Sequence, residues 1–473
     1  MIDAAAYRAN ETNAKRAIAS WRLSNINDPY VFQNQGFPVR ADSFLDLAQI
    51  LDTMQEGRFD YYMKEIGGFT DEDTSFFVKV CLDYIDFYCS FFQRERVVVP
   101  LSTLISHFVI YKKLLGYKPR FERLLEIGPG CGYLSFFLRD HKPLLDYTQI
   151  ESTESFYLLQ SHINSHVFGS LFAEHAVSRQ ALDDHGVYIP KLDWHNPFHY
   201  EAQNIIGVET PATCNHYPWW RIGDAARRRY DIVTSNANLN EFSREALFQY
   251  LSLIREVLAD DGIVLAQCLG GGPPTYDTIF ANMKSAGFVP AALIQGVNDP
   301  GRVFVVSNAV FVGEKHPLFA QFADKPPQFP MIDRELSFVN TMFFLNEEQR
   351  QEKRVLGIAD ILRAILERIE RAGTTAKAPE GILSTPGLRN SNLVRKAAQL
   401  ASPATDQADP LAQESGLERD RRWMMYRTES ERKRLAGEVE GLKRTLEAVR
   451  RSTSWKLTAP VRAAGRLVRR LRG

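Results

Sequence analysis

The chain of 473 residues is 45% hydrophobic and 24% charged, an ordinary composition for a soluble protein of two or more domains. Five scattered cysteines argue against a zinc site or a disulfide framework, and no signal-peptide core or long apolar run is present. These features predict a cytoplasmic protein. The formal net charge of zero is unevenly spread, because residues 417–473 hold 17 Lys and Arg against 7 Asp and Glu. An acidic body therefore carries a basic tail.

Residues 1–119 predict a helical cap region. Aromatic-rich amphipathic stretches dominate it, as in residues 73–92, and a helix over 101–117 leads into the next domain. From 120 to about 313, strand-like apolar runs alternate with helical patterns, which is typical of parallel βαβ units. These runs are RLLEIG, DYTQIE, YDIVTSN, GIVLAQCLG, FVPAALIQG and VFVVSNAVFVG. We therefore predict an α/β domain whose ligand lies at the carboxyl ends of its strands.

The remaining segments differ in composition. The interval from Glu151 to Asp231 is longer than a simple βα connection requires. It predicts an insertion at about 160–229 that shapes a substrate pocket. Residues 314–371 predict a helical extension, and 372–416, rich in Ala, Pro, Ser, Thr and Gly, a flexible linker. Apolar residues at 4-3 spacing predict a short coiled coil over 417–451, and with it a homo-oligomer. Residues 452–473 form a basic amphipathic tail with six cationic and no acidic residues.

A glycine-rich turn follows the first predicted strand, in LLEIGPGCGYLSFFL. Gly128, Gly130 and Gly132 alternate after Glu126, and glycine tolerates the φ values and the close ligand approach that such a turn requires. A dinucleotide fingerprint would place its third glycine where Tyr133 stands. The turn therefore predicts a nucleotide-like cofactor other than a dinucleotide.

The spacing E-x-G-x-G-x-G resembles motif I of class I S-adenosylmethionine-dependent methyltransferases. Glu151 ends a second strand, YDIVTSNANLNEF follows later, and LSLIREVLADDGIVLAQ resembles the helix, turn and strand that come next in that family. The resemblance implies a Rossmann-like, doubly wound class I methyltransferase sheet with S-adenosyl-L-methionine as cofactor. Glu126 and the glycines would hold its methionine moiety, with Tyr133 in the same turn, and Glu151 its ribose. Asn236 and Asn238 would border it, with a polar core position as the alternative.

Methyl transfer to a sugar hydroxyl needs a general base or a metal to assist deprotonation. The candidates for this role are His216, Glu241 and Asn240, and we predict no metal site. His216 stands near Trp219 and Trp220, and aromatic faces commonly pack against sugar rings; the alternative is a surface-loop histidine beside core tryptophans. Glu241 is either the base or a first-turn carboxylate of the following helix.

Between residues 95 and 312, segments such as PLSTLISHFVIYKKL, SNANLNEFS and GGGPPTYDTIFANMKSAGF resemble bacterial sugar O-methyltransferases. That family is associated with the assembly of surface polysaccharides such as O-antigen and capsule. The resemblance implies methylation of a hydroxyl on a sugar or glycan acceptor. The alternatives are a methyltransferase for another small molecule or a lipid, and a non-catalytic assembly protein that retains the fold.

The terminal SWKLTAPVRAAGRLVRRL resembles the tails of many bacterial polysaccharide glycosyltransferases. Trp455 and the leucines would enter a membrane interface while the cations meet anionic lipid, which predicts peripheral binding at the inner face of the plasma membrane. Contact with a glycosyltransferase and a disordered end are the alternatives. Because the acidic body would oppose a polyanion, we predict no nucleic-acid partner.

Overall fold

A computed structural model describes ten ranges of the chain, all within the first of its two compact units, residues 1–403 and 404–473. The described ranges are 4–17, 38–53, 59–92, 99–176, 212–239, 241–267, 276–297, 304–323, 337–340 and 353–374. The predicted coiled coil and basic tail lie outside them, as does the predicted linker beyond residue 374, whereas its first residues, 372–374, belong to the last described helix.

The N-terminal region is helical, as predicted. Its helices within the described ranges are α1 (Ala4–Ala17), α2 (Phe44–Thr53), α3 (Phe59–Glu65), α4 (Asp71–Phe92) and α5 (Leu101–Tyr117). Helix α5 is buried over most of its length because it packs against α3, α4 and the helix that follows the first strand. The helices predicted from the aromatic stretch and from LSTLISHFVIYKKLLGY are both confirmed.

Nine strands form one sheet in the part of the chain that the structure describes. They are β1 (Arg123–Ile127), β2 (Asp146–Glu151), β3 (Phe172–Glu174), β4 (Cys214–Pro218), β5 (Tyr230–Asn236), β6 (Leu258–Gln267), β7 (Phe288–Val297), β8 (Phe304–Gly313) and β9 (Ser337–Asn340). Their spatial order is β3-β4-β2-β1-β5-β6-β8-β7-β9.

The first six strands in spatial order run parallel, and β8 enters antiparallel between β6 and β7. From β1 the chain builds outward on one side to β2 and on the other to β5, so the topological switch point lies between β1 and β5. Ligands of open α/β sheets bind outside the carboxyl ends of the strands at such a point. This arrangement confirms the predicted Rossmann-like, doubly wound sheet.

Helices connect the strands and cover the sheet. They are α6 (Leu134–Leu138), α7 (Glu154–Phe168), α8 (Ile222–Ala225), α9 (Arg244–Val257), α10 (Tyr276–Ser285), α11 (Phe319–Ala323) and α12 (Ile358–Thr374). The side chain of Ser243 caps α9 by accepting a hydrogen bond from the Ala246 N–H (3.3 Å). Helix α12 buries Ile361, Ile365 and Ile369, one per turn, and packs against α4.

The structure differs from the expected domain plan in two segments. Strand β4 lies inside the predicted insertion and pairs with β2. It was not predicted because its sequence, CNHYP, is polar although every residue of the strand is buried. Strand β9 lies inside the predicted helical extension and pairs with β7. None of the helices that the structure describes is long and apolar enough to cross a membrane.

Candidate cofactor and acceptor site

The glycine turn closes the carboxyl end of β1 in a backbone conformation that favours glycine. Gly128, Gly130 and Gly132 have φ values of 66°, 59° and 74°. The Gly128 N–H donates to the Ile150 carbonyl of β2 (2.9 Å), which holds the turn against the neighbouring strand. Around Gly130 a Cβ atom would meet no other atom within 4 Å. The turn therefore presents open backbone at the switch point, as a nucleotide site requires.

Asn238 fastens this turn to the loop after β5. Its Nδ2 donates to the carbonyls of Gly128 (2.6 Å), Asn236 (2.6 Å) and Ile127 (3.3 Å). A Cβ atom on Gly128 would overlap the Asn238 side chain. Ala237 adopts a φ of 61°, a strained value for a residue other than glycine. The structure thus places both predicted asparagines beside the glycine turn, with Asn238 shaping its backbone.

Glu151 ends β2 next to the turn and is almost fully buried. One carboxylate oxygen accepts from the N–H groups of Ser152 (2.7 Å) and Thr153 (2.8 Å), and the other accepts from Gln160 Nε2 (2.8 Å). Burial raises the pKa of Glu151, while these hydrogen bonds and one from the Gly130 N–H oppose that shift. The carboxylate is therefore held rigidly at the position predicted for ribose binding.

Gln160 on α7 connects the site to β4, a role that the sequence pattern did not reveal. Its Nε2 also donates to the Gly130 carbonyl (2.6 Å), and its Oε1 lies 2.8 Å from His216 Nε2. Because both bonds of Nε2 are made to acceptors, the amide oxygen faces the imidazole, and His216 Nε2 must carry the proton. His216, Gln160 and Glu151 form one continuous hydrogen-bonded chain that ends at the glycine turn.

This geometry argues against His216 as the general base. The imidazole is fully buried, stacks on Tyr157 with ring centroids 3.9 Å apart, and contacts Ser161 Oγ through Nδ1 (3.1 Å). Burial lowers its pKa well below the usual value. Trp219 and Trp220 are also buried, so they do not form an exposed platform for a sugar ring. His216 lies in a strand rather than a surface loop, and its contacts are those of a positioning residue.

We expect Gln160→Leu to weaken the binding of S-adenosylmethionine about tenfold, because it leaves a buried Glu151 oxygen unpaired at a cost of roughly 1–3 kcal/mol. Titration calorimetry measures the affinity and thermal unfolding the stability. Gln249→Leu is the control, since Gln249 is a buried glutamine on α9 outside this chain of bonds. An affinity loss of equal size in both variants would contradict the positioning role.

Glu126 and Tyr133, the two residues that flank the glycine turn, are both buried. Glu126 is buried in β1, where one oxygen accepts from the Tyr147 hydroxyl and the other has no partner among the residues that the structure describes. Burial raises the pKa of Glu126 to about 7. The Tyr133 ring is fully buried against Tyr84 and His107, at centroid distances of 5.7 and 5.5 Å. Tyr133 therefore contributes packing, and its backbone alone borders the turn.

Glu241 occupies the loop between β5 and α9. Its N–H donates to the Asn238 carbonyl (2.9 Å), and α9 begins only after Ser243, so Glu241 precedes the helix instead of opening it. Burial of its carboxyl, together with the nearby charge of Glu151, raises the pKa of Glu241 to about 7. Such a carboxylate accepts a proton near neutral pH. Asn240, the third predicted catalytic residue, lies outside the described residues.

Several buried polar atoms near the carboxyl edge have no hydrogen-bond partner within the described ranges. Native structures leave few such atoms unpaired, so each one calls for an explanation. The atoms are Tyr7 Oη, Glu126 Oε1, Trp219 Nε1, Ser235 Oγ, Tyr250 Oη and Gln267 Oε1. Together with the open backbone at Gly130, they fit a polar ligand at this edge, such as S-adenosylmethionine.

Neither a family model nor a curated protein matches the sequence. Among solved structures, the chain is similar to the methyltransferase domain of bacterial CtHen1, at 11% identity and a TM-score of 0.29, covering 44% of this chain and 99% of that one. A TehB-like SAM-dependent methyltransferase from Corynebacterium glutamicum matches at 13% identity and a TM-score of 0.25, covering 45% and 99%. Spermidine synthase from Thermotoga maritima matches at 12% identity and a TM-score of 0.28, covering 52% of this chain and 70% of that one.

Similarity at this level does not identify a function, and the assignment of the fold depends on the sheet itself. Six parallel strands, an antiparallel strand next to the sixth, a glycine turn after β1 and a buried acid at the end of β2 occur together. Together they form a Rossmann-like, doubly wound fold of the kind that class I methyltransferases also have.

Proposed function

We propose that this protein is an S-adenosylmethionine-dependent O-methyltransferase that acts on a hydroxyl group of a sugar or glycan. The observation that carries the proposal is the Glu241 carboxyl, which lies near Glu151 and close to the glycine turn, with a pKa of about 7. A hydroxyl is a poor nucleophile until a base removes its proton. A carboxylate that titrates near neutral pH, in the loop after β5, suits that task.

The residues of the site have two roles, to bind the cofactor and to remove the proton of the acceptor. Bound S-adenosylmethionine supplies an electrophilic methyl group. The backbone of the glycine turn and the Glu151 carboxylate bind and orient the cofactor, and Gln160 holds both of them in place. The Glu241 carboxylate would accept the proton of the acceptor hydroxyl as the hydroxyl oxygen takes the methyl group, whose bond to sulfur breaks to leave S-adenosylhomocysteine. No covalent enzyme intermediate is needed, so positioning contributes much of the rate.

The choice of a sugar acceptor is supported by the resemblance of residues 95–312 to bacterial sugar O-methyltransferases. A place in surface-polysaccharide biosynthesis follows from the same resemblance and from the basic tail, residues 452–473, which we propose binds an anionic membrane surface or a glycosyltransferase. The coiled coil over 417–451 would join copies of the chain.

Mass spectrometry of surface glycans tests the acceptor. We expect glycans from a strain lacking this protein to lose one methyl group per repeating unit. Complementation with the wild-type gene should restore that group, and complementation with the Gly130→Val variant should not. If the glycans are unchanged, the acceptor is another small molecule or a lipid. If the purified protein shows no saturable binding of S-adenosylmethionine, the enzymatic proposal fails altogether.

A further inference from the structure

The N-terminal helix α1 is held to the first turn of α7 by half-exposed arginines that pair with one buried carboxylate. Glu154, whose side chain is 1% exposed, accepts hydrogen bonds from Arg8 Nε (3.0 Å) and Arg8 Nη2 (2.8 Å), from the Ala41 N–H (3.2 Å) and from Arg40. Arg40 also pairs with Glu11 on α1 (2.8 Å). A buried carboxylate that loses a partner is strongly destabilising, so these contacts fix the position of α1.

Tyr7, which precedes Arg8 on α1, is fully buried. Its ring contacts Tyr157 and Trp220, each at a centroid distance of 5.0 Å. Its hydroxyl has no hydrogen-bond partner in the part of the chain that the structure describes. A buried unpaired hydroxyl is destabilising, and phenylalanine would fill the same space without that cost. Packing therefore explains the ring of Tyr7 but not its hydroxyl.

The surroundings of Tyr7 belong to the carboxyl edge of the sheet. Tyr157 lies on α7, which begins three residues after Glu151, and Trp220 is the second residue after β4. In the pairing of β2 with β4, Glu151 lies opposite Pro218. Both ring contacts of Tyr7 therefore come from the segments that follow β2 and β4 at this edge of the sheet.

The Tyr7 hydroxyl stays protonated at any physiological pH. Burial raises its pKa well above the usual value, and the carboxylates of Glu11, Glu151 and Glu154 raise it further. Arg8 and Arg40 engage Glu154, and Glu151 is engaged by Gln160 and backbone N–H groups. The hydroxyl is therefore an uncommitted donor close to the carboxylate predicted to hold a ribose.

We propose that Tyr7 is a cofactor-binding residue that α1 contributes to the site, and that its hydroxyl hydrogen-bonds the ribose of the bound S-adenosyl nucleoside. A ribose hydroxyl donates as well as accepts, so Glu151 as acceptor and Tyr7 as donor complement each other. Helix α1 thus completes a site whose other parts lie more than a hundred residues further along the chain. This inference rests on the proposed function, since it requires that cofactor.

The test compares Tyr7→Phe with the wild-type full-length chain in calorimetric titrations with S-adenosylhomocysteine, which binds without turnover. We expect the dissociation constant to rise about tenfold, as for the loss of one buried hydrogen bond, while the ligand-free variant melts at the same or a higher temperature. Tyr230→Phe is the matched control. Tyr230 is equally buried, but it begins β5 at the opposite edge and donates to the Ala225 carbonyl (3.3 Å). It should lose stability and keep its affinity.

Hydrogen exchange on the wild-type protein provides an independent measurement. Saturating S-adenosylhomocysteine should slow the exchange of the α1 amides if Tyr7 contacts the ligand. Equal affinities of Tyr7→Phe and wild type, or α1 amides that do not respond to the ligand, would overturn the inference and leave the proposed function intact. A wild-type protein that binds neither S-adenosylmethionine nor S-adenosylhomocysteine would overturn both.

Discussion

Replacement of Gly130 by valine is expected to abolish cofactor binding while leaving the fold in place. Gly130 has a φ of 59°, and a Cβ there would project into open space at the switch point, where the cofactor must approach the backbone. A valine adds backbone strain of roughly 1–2 kcal/mol and places its methyl groups in that approach. We expect the affinity for S-adenosylmethionine to fall about a hundredfold or more, equivalent to roughly 3 kcal/mol.

Gly169→Val separates backbone strain from the loss of ligand space. Gly169 has a φ of 55°, a Cβ there also meets nothing within 4 Å, and it lies at the end of α7, at the opposite edge of the sheet. Both variants should lose similar stability in thermal unfolding, but only Gly130→Val should fail in calorimetric titration. Normal affinity in Gly130→Val would show that the cofactor does not use this turn.

Glu241→Gln is expected to reduce kcat by a factor of about a hundred or more, with little change in cofactor affinity, because glutamine cannot accept the proton of the acceptor hydroxyl. The wild-type rate should increase with pH through about 7, the pKa that burial and Glu151 give to Glu241. The sign follows from the role: below that pKa the carboxyl is protonated and cannot serve as a base. In the glutamine variant this dependence should disappear.

Glu126 needs its own control because its pKa is also raised to about 7. It lies in β1, bonds the Tyr147 hydroxyl and is predicted to hold the methionine moiety of the cofactor instead of the acceptor. Glu126→Gln should therefore keep the pH dependence, as measured by initial rates of methyl transfer across the pH range. If Glu126→Gln removes the dependence and Glu241→Gln retains it, the assignment of the base is wrong.

Local patterns along the chain were sufficient to predict most of the sheet. Strands β1, β2, β5 and β6 and the hairpin of β7 and β8 coincide with the apolar runs identified in the sequence. Strand β4 was missed because two polar residues, Asn215 and His216, occupy a fully buried strand. Their polar atoms are satisfied by groups on α7, on β2 and near the start of β4. The partners on α7 and β2 lie more than fifty residues from β4 in sequence, so no local pattern predicts these hydrogen bonds.

In the candidate site, too, some features follow from local sequence and others depend on contacts between distant segments. The sequence by itself determined the glycine turn, the acid at the end of β2 and the asparagines after β5, because each follows from the identity of a few adjacent residues. Only the tertiary structure decided that His216 is buried and bonded to Gln160, and that Glu241 lies near Glu151. It also decided that Tyr7 of α1 packs against Tyr157 and Trp220. Burial and pairing between distant segments set the pKa and the hydrogen bonds of these groups, and such pairing arises only when the whole chain has folded.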